Sequence, residues 1–153
     1  MPETPITYED YRKCYAIAKR AHKKDRYAGR PYFEVHLKPI VDYFAKRSMW
    51  AEACLAALHD VVEDHGDHYT YNRLYLLGVP YDVRNALRCI TRLPDEFYTD
   101  FIVRCKSHDL AWRVKIRDVL QNISYDPNRH RVQKYAAALL VLTEGCPAGI
   151  LEP

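Results

Sequence analysis

Residues 55–64 read Leu-Ala-Ala-Leu-His-Asp-Val-Val-Glu-Asp, and the spacing of their side chains decides both the fold and the chemistry expected here. On an α-helix with His59 at the origin, Glu63, Asp60 and Asp64 fall at about 40°, 100° and 140°. Leu55, Leu58, Val61 and Val62 fall on the opposite arc. One face packs and the other converges on something. An imidazole and three carboxylates share that second face with no cation beside them, and Asp60 and Asp64 repel each other at i,i+4. Local helix stability does not explain the arrangement, whereas a divalent cation does.

Working outward, almost every segment carries helical rather than strand period. Thr7, with Asp10 three residues on, predicts a capped helix over 8–24. Residues 25–30, with Gly29 and then Pro31, read as a loop. Helices are expected over 34–46 and 49–64, short ones over 71–77 and 81–91, and a further one over 97–106. Ser107 or Asp109 is expected to cap a strong helix ending near 124, and an apolar helix is expected over 132–143. Residues 144–153 read as an irregular tail. No segment offers the alternation and turn chemistry of a hairpin. The expected fold is all-α, a single irregular helical bundle forming one domain over residues 1–153.

The helix around residue 118 repeats the two-faced pattern. Lys115, Asp118 and Asn122 share one side, while Ile116, Val119, Leu120 and Ile123 form the other. An acid, an amide and an ammonium on one stripe suit the edge of a metal site with an anionic ligand beside it. His36, after the loop, supplies an imidazole that would fill the sphere left incomplete by Asp60 and Asp118.

Composition narrows the classes. Lys and Arg number 23 against 20 Asp and Glu, too small an excess to argue for nucleic acid, and no basic-aromatic stripe appears. No apolar run approaches the ~20 residues that span a bilayer, and residues 1–13 lack a signal peptide's apolar stretch. The five cysteines are widely spaced without a Cys-x-x-Cys pair, which points to a reducing compartment, the cytoplasm. The 13 tyrosines, several gathered between Tyr69 and Tyr98, suit a base pocket, a dimer face or half-buried core.

These residues resemble the HD-domain metal-dependent phosphohydrolases, whose pattern His … His-Asp … Asp reads here as His36, His59-Asp60 and Asp118. The closer similarity is to the (p)ppGpp hydrolase domains of the RelA/SpoT type and to single-domain small alarmone hydrolases. It rests on Ala21-His22-Lys23, on Arg26-Tyr27-Ala28-Gly29-Arg30-Pro31-Tyr32, on His59-Asp60-Val61-Val62-Glu63-Asp64, and on Lys115-Ile116-Arg117-Asp118 with Asn122, and covers about residues 15–125. The resemblance implies that His36, His59, Asp60 and Asp118 ligate a divalent ion, usually Mn²⁺. It implies that Glu63 and Asp64 act around the attacked phosphate, that Asn122 contacts substrate, and that Arg26 stacks on the purine. Lys23, Tyr27, Arg30 and Lys115 complete the expected substrate contacts. The implied activity is removal of the 3′-pyrophosphate from a (p)ppGpp- or ppApp-like nucleotide by a metal-activated water.

The loop departs from the family pattern. Tyr27 stands where Lys is usual, Ala28 where Ser is frequent, and one extra residue lies between Pro31-Tyr32 and His36. Two other readings stay open: an HD-type hydrolase of a monophosphate, cyclic nucleotide or nucleotide pyrophosphate, and a non-catalytic nucleotide-binding or immunity protein on the same scaffold.

Overall fold

The computed structural model describes residues 4–147 and 149–152 of the chain. Residues 148 and 153 of the expected tail lie outside the described residues. Helix α1 (Tyr8–Ala21) opens on the expected capping box: Thr7 Oγ1 accepts from the Asp10 backbone N–H, and Asp10 Oδ2 accepts from that of Thr7. It stops three residues short of the expected 24, because the chain turns at His22 and the Asp25 N–H donates to the His22 carbonyl.

The loop that follows corrects the expectation of no hairpin. Strands β1 (Arg26–Tyr27) and β2 (Arg30–Pro31) pair antiparallel across Ala28-Gly29, whose φ angles are 48° and 77°. Two positive φ angles in succession make the tight turn that matches strand twist. With two residues per strand there is no alternation to read. Next, Phe33–Leu37 is π-helical and runs into α2 (Lys38–Ala45). A π-turn widens the helix by one residue. That accommodates the extra residue before His36, and the side-chain amide of Gln121 donates to the Val35 carbonyl at 3.0 Å.

The expected helix over 49–64 is two helices, α3 (Trp50–Leu58) and α4 (Val61–His65), broken at His59-Asp60. An unbroken helix would hold these neighbours about 100° apart. The break lets both side chains turn to one point, with His59 Nε2 and Asp60 Oδ2 3.1 Å apart. Helix α3 is the centre of the molecule. Residues 52–58 are all buried, packed among α1, α2, α6 and α8. Burying a side chain such as Leu55 or Leu58 contributes about 1.5–3 kcal/mol.

Helices α5 (Tyr71–Leu76), α6 (Tyr81–Ile90) and α7 (Tyr98–Lys106) lie within a residue of expectation. Helix α8 (Asp109–Ser124) has His108 at its N-cap, correcting the Ser107 and Asp109 assignments, since Ser107 Oγ turns back to the Arg104 carbonyl and closes α7. Helix α9 (Arg129–Thr143) starts three residues before 132, because Asn128 Oδ1 caps it by accepting from the Arg131 N–H at 3.0 Å. The result is an all-α bundle around one apolar cluster, with the small hairpin on its edge. No helix among the described residues is long and apolar enough to cross a membrane. The five cysteines are free, and Cys14, Cys54 and Cys105 are buried.

Candidate metal centre

Four side chains from three parts of the chain meet beside the buried end of α3. His36 comes from the π-turn, His59 and Asp60 from the break between α3 and α4, and Asp118 from the middle of α8. His36 Nε2 lies 3.1 Å from Asp118 Oδ1 and 3.5 Å from Asp60 Oδ2. His59 Nε2 lies 3.1 Å from Asp60 Oδ2 and 3.5 Å from Asp118 Oδ1. Adjacent donors around an ion with bonds of about 2.1–2.3 Å stand roughly 3.0–3.5 Å apart. His36, His59 and Asp60 have ligand atoms within 4.8 Å of one another, a set that could hold a divalent ion, and Asp118 Oδ1 lies within 3.5 Å of both imidazoles as a fourth candidate donor. His59 Nε2 is also buried without a hydrogen-bond partner, the state of a nitrogen whose lone pair is reserved for a ligand.

Three of the four donors are held by a further hydrogen bond, and His36 Nδ1 is buried without one. His59 Nδ1 faces the Ala56 carbonyl at 2.7 Å, a contact that needs the proton on Nδ1 and so aims the bare Nε2 into the cluster. Asp118 is gripped from both sides: Lys115 Nζ donates to Oδ2 at 2.7 Å and Asn122 Nδ2 to Oδ1 at 2.9 Å. The Tyr32 hydroxyl donates to Asp60 Oδ2. Lys115 and Asn122, both expected at the substrate, are turned to Asp118. Lys115 is buried, its ammonium 4.8 Å from the centre of the Phe101 ring.

Charge follows this geometry. Burial works against protonation of His59 and His36, but the Asp60 and Asp118 carboxylates outweigh it and raise both, His59 well above the usual imidazole range. Burial likewise opposes ionisation of Asp118, and Lys115 and the imidazoles override it, keeping the acid charged. Protons and a metal ion would compete for the same imidazole nitrogens, so an ion held there would bind more weakly as pH falls.

Glu63 and Asp64 stand on α4, one turn beyond Asp60, and are exposed. Glu63 Oε2 accepts from the Arg92 N–H at 3.4 Å. Although their surfaces reach water, partial desolvation against the cluster and the Asp60 charge push Glu63 up, and the same partial desolvation with Asp60 and Glu63 pushes Asp64 up to about 6. Arg26 and Arg30 are exposed on the hairpin, and the Arg26 guanidinium donates to the Asp25 carbonyl. Lys23 lines a separate cavity of about 410 Å³ with Arg20, Lys24 and Arg73. Tyr27 is half-buried, its ring 6.1 Å from His36 and 4.8 Å from Tyr125, with the Arg131 guanidinium 5.1 Å away. The hairpin therefore places an aromatic wall, rather than an ammonium, beside the donors.

Sequence reading missed Tyr32 as the partner of Asp60, and Arg131, which donates to Asn122 at 3.3 Å. It also missed a cluster of His22, Asp25 and His65. The tyrosines of the central third serve as ring partners for arginines, with Arg88 over Tyr71 and Arg84 near Tyr75 and Tyr81. Tyr75 and Tyr81 are the exposed members.

No protein-family model matches the chain, and no curated protein sequence matches it. Its fold has a solved counterpart. The structure of a metazoan ortholog of SpoT, a protein described as hydrolyzing ppGpp and playing a role in starvation responses, aligns with a TM-score of 0.73. The alignment covers 97% of this chain and 93% of that one, at 18% sequence identity. The helical bundle that brings His36, His59, Asp60 and Asp118 together is shared with that SpoT ortholog.

Proposed function

We propose that this chain, as a single hydrolase domain, is a divalent-metal-dependent phosphohydrolase removing the 3′-pyrophosphate of a ppGpp- or ppApp-like nucleotide. The observation that carries the reading is the cluster of His36, His59, Asp60 and Asp118 with two further carboxylates, Glu63 and Asp64, one turn away. The likeness in fold to a protein that hydrolyzes ppGpp supports the substrate class.

His36, His59, Asp60 and Asp118 would hold the ion, and two nitrogen and two hard oxygen donors suit Mn²⁺. Bound there, such an ion supplies a hydroxide near neutral pH and polarises a phosphoryl oxygen. The chain's own groups do the rest. Lys115 and Asn122 keep Asp118 ionised and oriented, the Ala56 carbonyl fixes the His59 tautomer, and Tyr32 anchors Asp60. Asp64, near 6, can take a proton from the attacking water or return one to the leaving oxygen, with Glu63 beside it. Arg26 and Arg30, exposed on the hairpin, would meet substrate charge and base, with Tyr27 as a flat neighbour. Free, unpaired cysteines suit a cytoplasmic setting.

The test is release of pyrophosphate from ppGpp and ppApp by purified protein with Mn²⁺. The expected result is release that Asp60→Ala abolishes. Inactivity on both, with turnover on a cyclic nucleotide or monophosphate, would assign the same centre to a different substrate.

A further inference from the structure

Behind the Tyr32 ring lies a second group of ligating side chains. His22 ends α1, Asp25 opens the hairpin, and His65 ends α4, so three separate segments converge. His22 Nδ1 and His65 Nε2 each stand 2.6 Å from the same oxygen, Asp25 Oδ2, and the ligand atoms of all three lie within 4.8 Å of one another. His22 is buried, and its Nε2 has no hydrogen-bond partner. Asp25 and His65 are about one quarter exposed and line the cavity of about 410 Å³, which gives an ion a way in.

The geometry points to a second divalent-cation site, formed by His22 Nδ1, Asp25 Oδ2 and His65 Nε2, for a borderline ion of the Zn²⁺ class. Two imidazoles and one carboxylate with a free position are the three-ligand set such ions take. Binding requires the two contacts of 2.6 Å to open to roughly 3.3 Å, the edge of a tetrahedron with bonds near 2.05 Å. Arg20, Lys23, Lys24 and Arg73 face the same cavity. Their charge opposes a bare dication, so the free position takes an anion, such as hydroxide or inorganic phosphate. The site is separate from the first: the Tyr32 ring lies 5.1 Å from His22 on one side and 5.1 Å from His36 on the other. Its ion would staple α1, the hairpin and α4 together.

Crystals of the full chain grown with Zn²⁺ and measured at the zinc absorption edge test this directly. The expected result is an anomalous peak bonded to His22 Nδ1, Asp25 Oδ2 and His65 Nε2. Its absence at saturating Zn²⁺ overturns the proposal. In solution, ions counted per chain should fall by one in His65→Gln, and independently by one in Asp118→Asn. Equal content in wild type and His65→Gln would also overturn it. If Asp118→Asn alone keeps the wild-type content, the failure lies with the first centre and not with this site.

Discussion

Two clusters of imidazole and carboxylate lie on either side of the Tyr32 ring, and they differ in how each is held. In the first, three of the four donors have a supporting partner: Ala56 for His59, Lys115 and Asn122 for Asp118, Tyr32 for Asp60, while His36 Nδ1 is buried without one. The first cluster's imidazole nitrogens stand 3.1–3.5 Å from the carboxylates, and His59 Nε2 stays unpartnered. In the second, Asp25 Oδ2 accepts from both imidazoles at 2.6 Å, and the group closes on itself. The first has its imidazoles and carboxylates already apart, so an ion entering it shares Asp60 Oδ2 with Tyr32 and Asp118 Oδ1 with Asn122 but opens no imidazole–carboxylate contact as short as 2.6 Å. The second gives up two. The first should therefore bind the tighter, although both draw on the same residue types.

The largest expected effect comes from the first cluster. His59→Ala leaves Asp60 and Asp118 without their neighbour and should reduce Mn²⁺-dependent pyrophosphate release to background; appreciable turnover would mean that the preorganised cluster is not the reacting centre. Next come the acids outside it. Glu63→Gln and Asp64→Asn should each lower kcat by about 10²–10⁴, the range of a positioned acid or base. The fall should come with metal content unchanged by elemental analysis, and a loss of bound metal would instead make them ligands. The supporting contacts rank third. Asn122→Ala removes one of the two grips on Asp118 and should weaken metal binding or activity about 10–100-fold. A Mn²⁺ titration of activity reads this as a shift in the half-saturating concentration.

The smallest effect belongs to the second cluster and concerns stability. Burial alone would raise the Asp25 pKa, but hydrogen bonds from His65 and His22 outweigh it and bring it below the usual value. A lowered folded-state pKa adds stability that is complete above the unfolded value of about 3.9 and lost as pH falls through the folded one. Thermal melts without added metal should therefore show wild type ahead of Asp25→Asn at neutral pH, with the gap closing below about pH 4. A gap that ignores pH would mean the contribution is packing and not charge.

The helices and the stripe of Lys115, Asp118 and Asn122 were legible in the sequence because each depends on a local pattern, while His36 joined the expected ligands through the resemblance. Apolar period placed α3, α6 and α8, Thr7 and Asp10 announced α1, and the spacing of Asp118, Lys115 and Asn122 put them on one stripe. The break at His59-Asp60, the π-turn around His36 and the hairpin at Ala28-Gly29 were not legible. These are responses of the backbone to convergence on a site: helix geometry is given up so that His59, Asp60 and His36 can face one point. No glycine or proline marks the break at His59-Asp60, and Pro39 beyond the π-turn, which has no N–H for the Val35 carbonyl that Gln121 takes, reads in sequence only as an ordinary helix start. Tyr32 and the His22, Asp25 and His65 cluster were hidden for a related reason, since their partners are 28 and 40 residues away in sequence.

The most direct test of the central claim is pyrophosphate release from ppGpp followed against Mn²⁺ concentration in wild type and Asp118→Ala. Saturable Mn²⁺ dependence in wild type, with none in the variant, is the predicted result. Release that proceeds equally in the two proteins, or without any divalent ion, would contradict it.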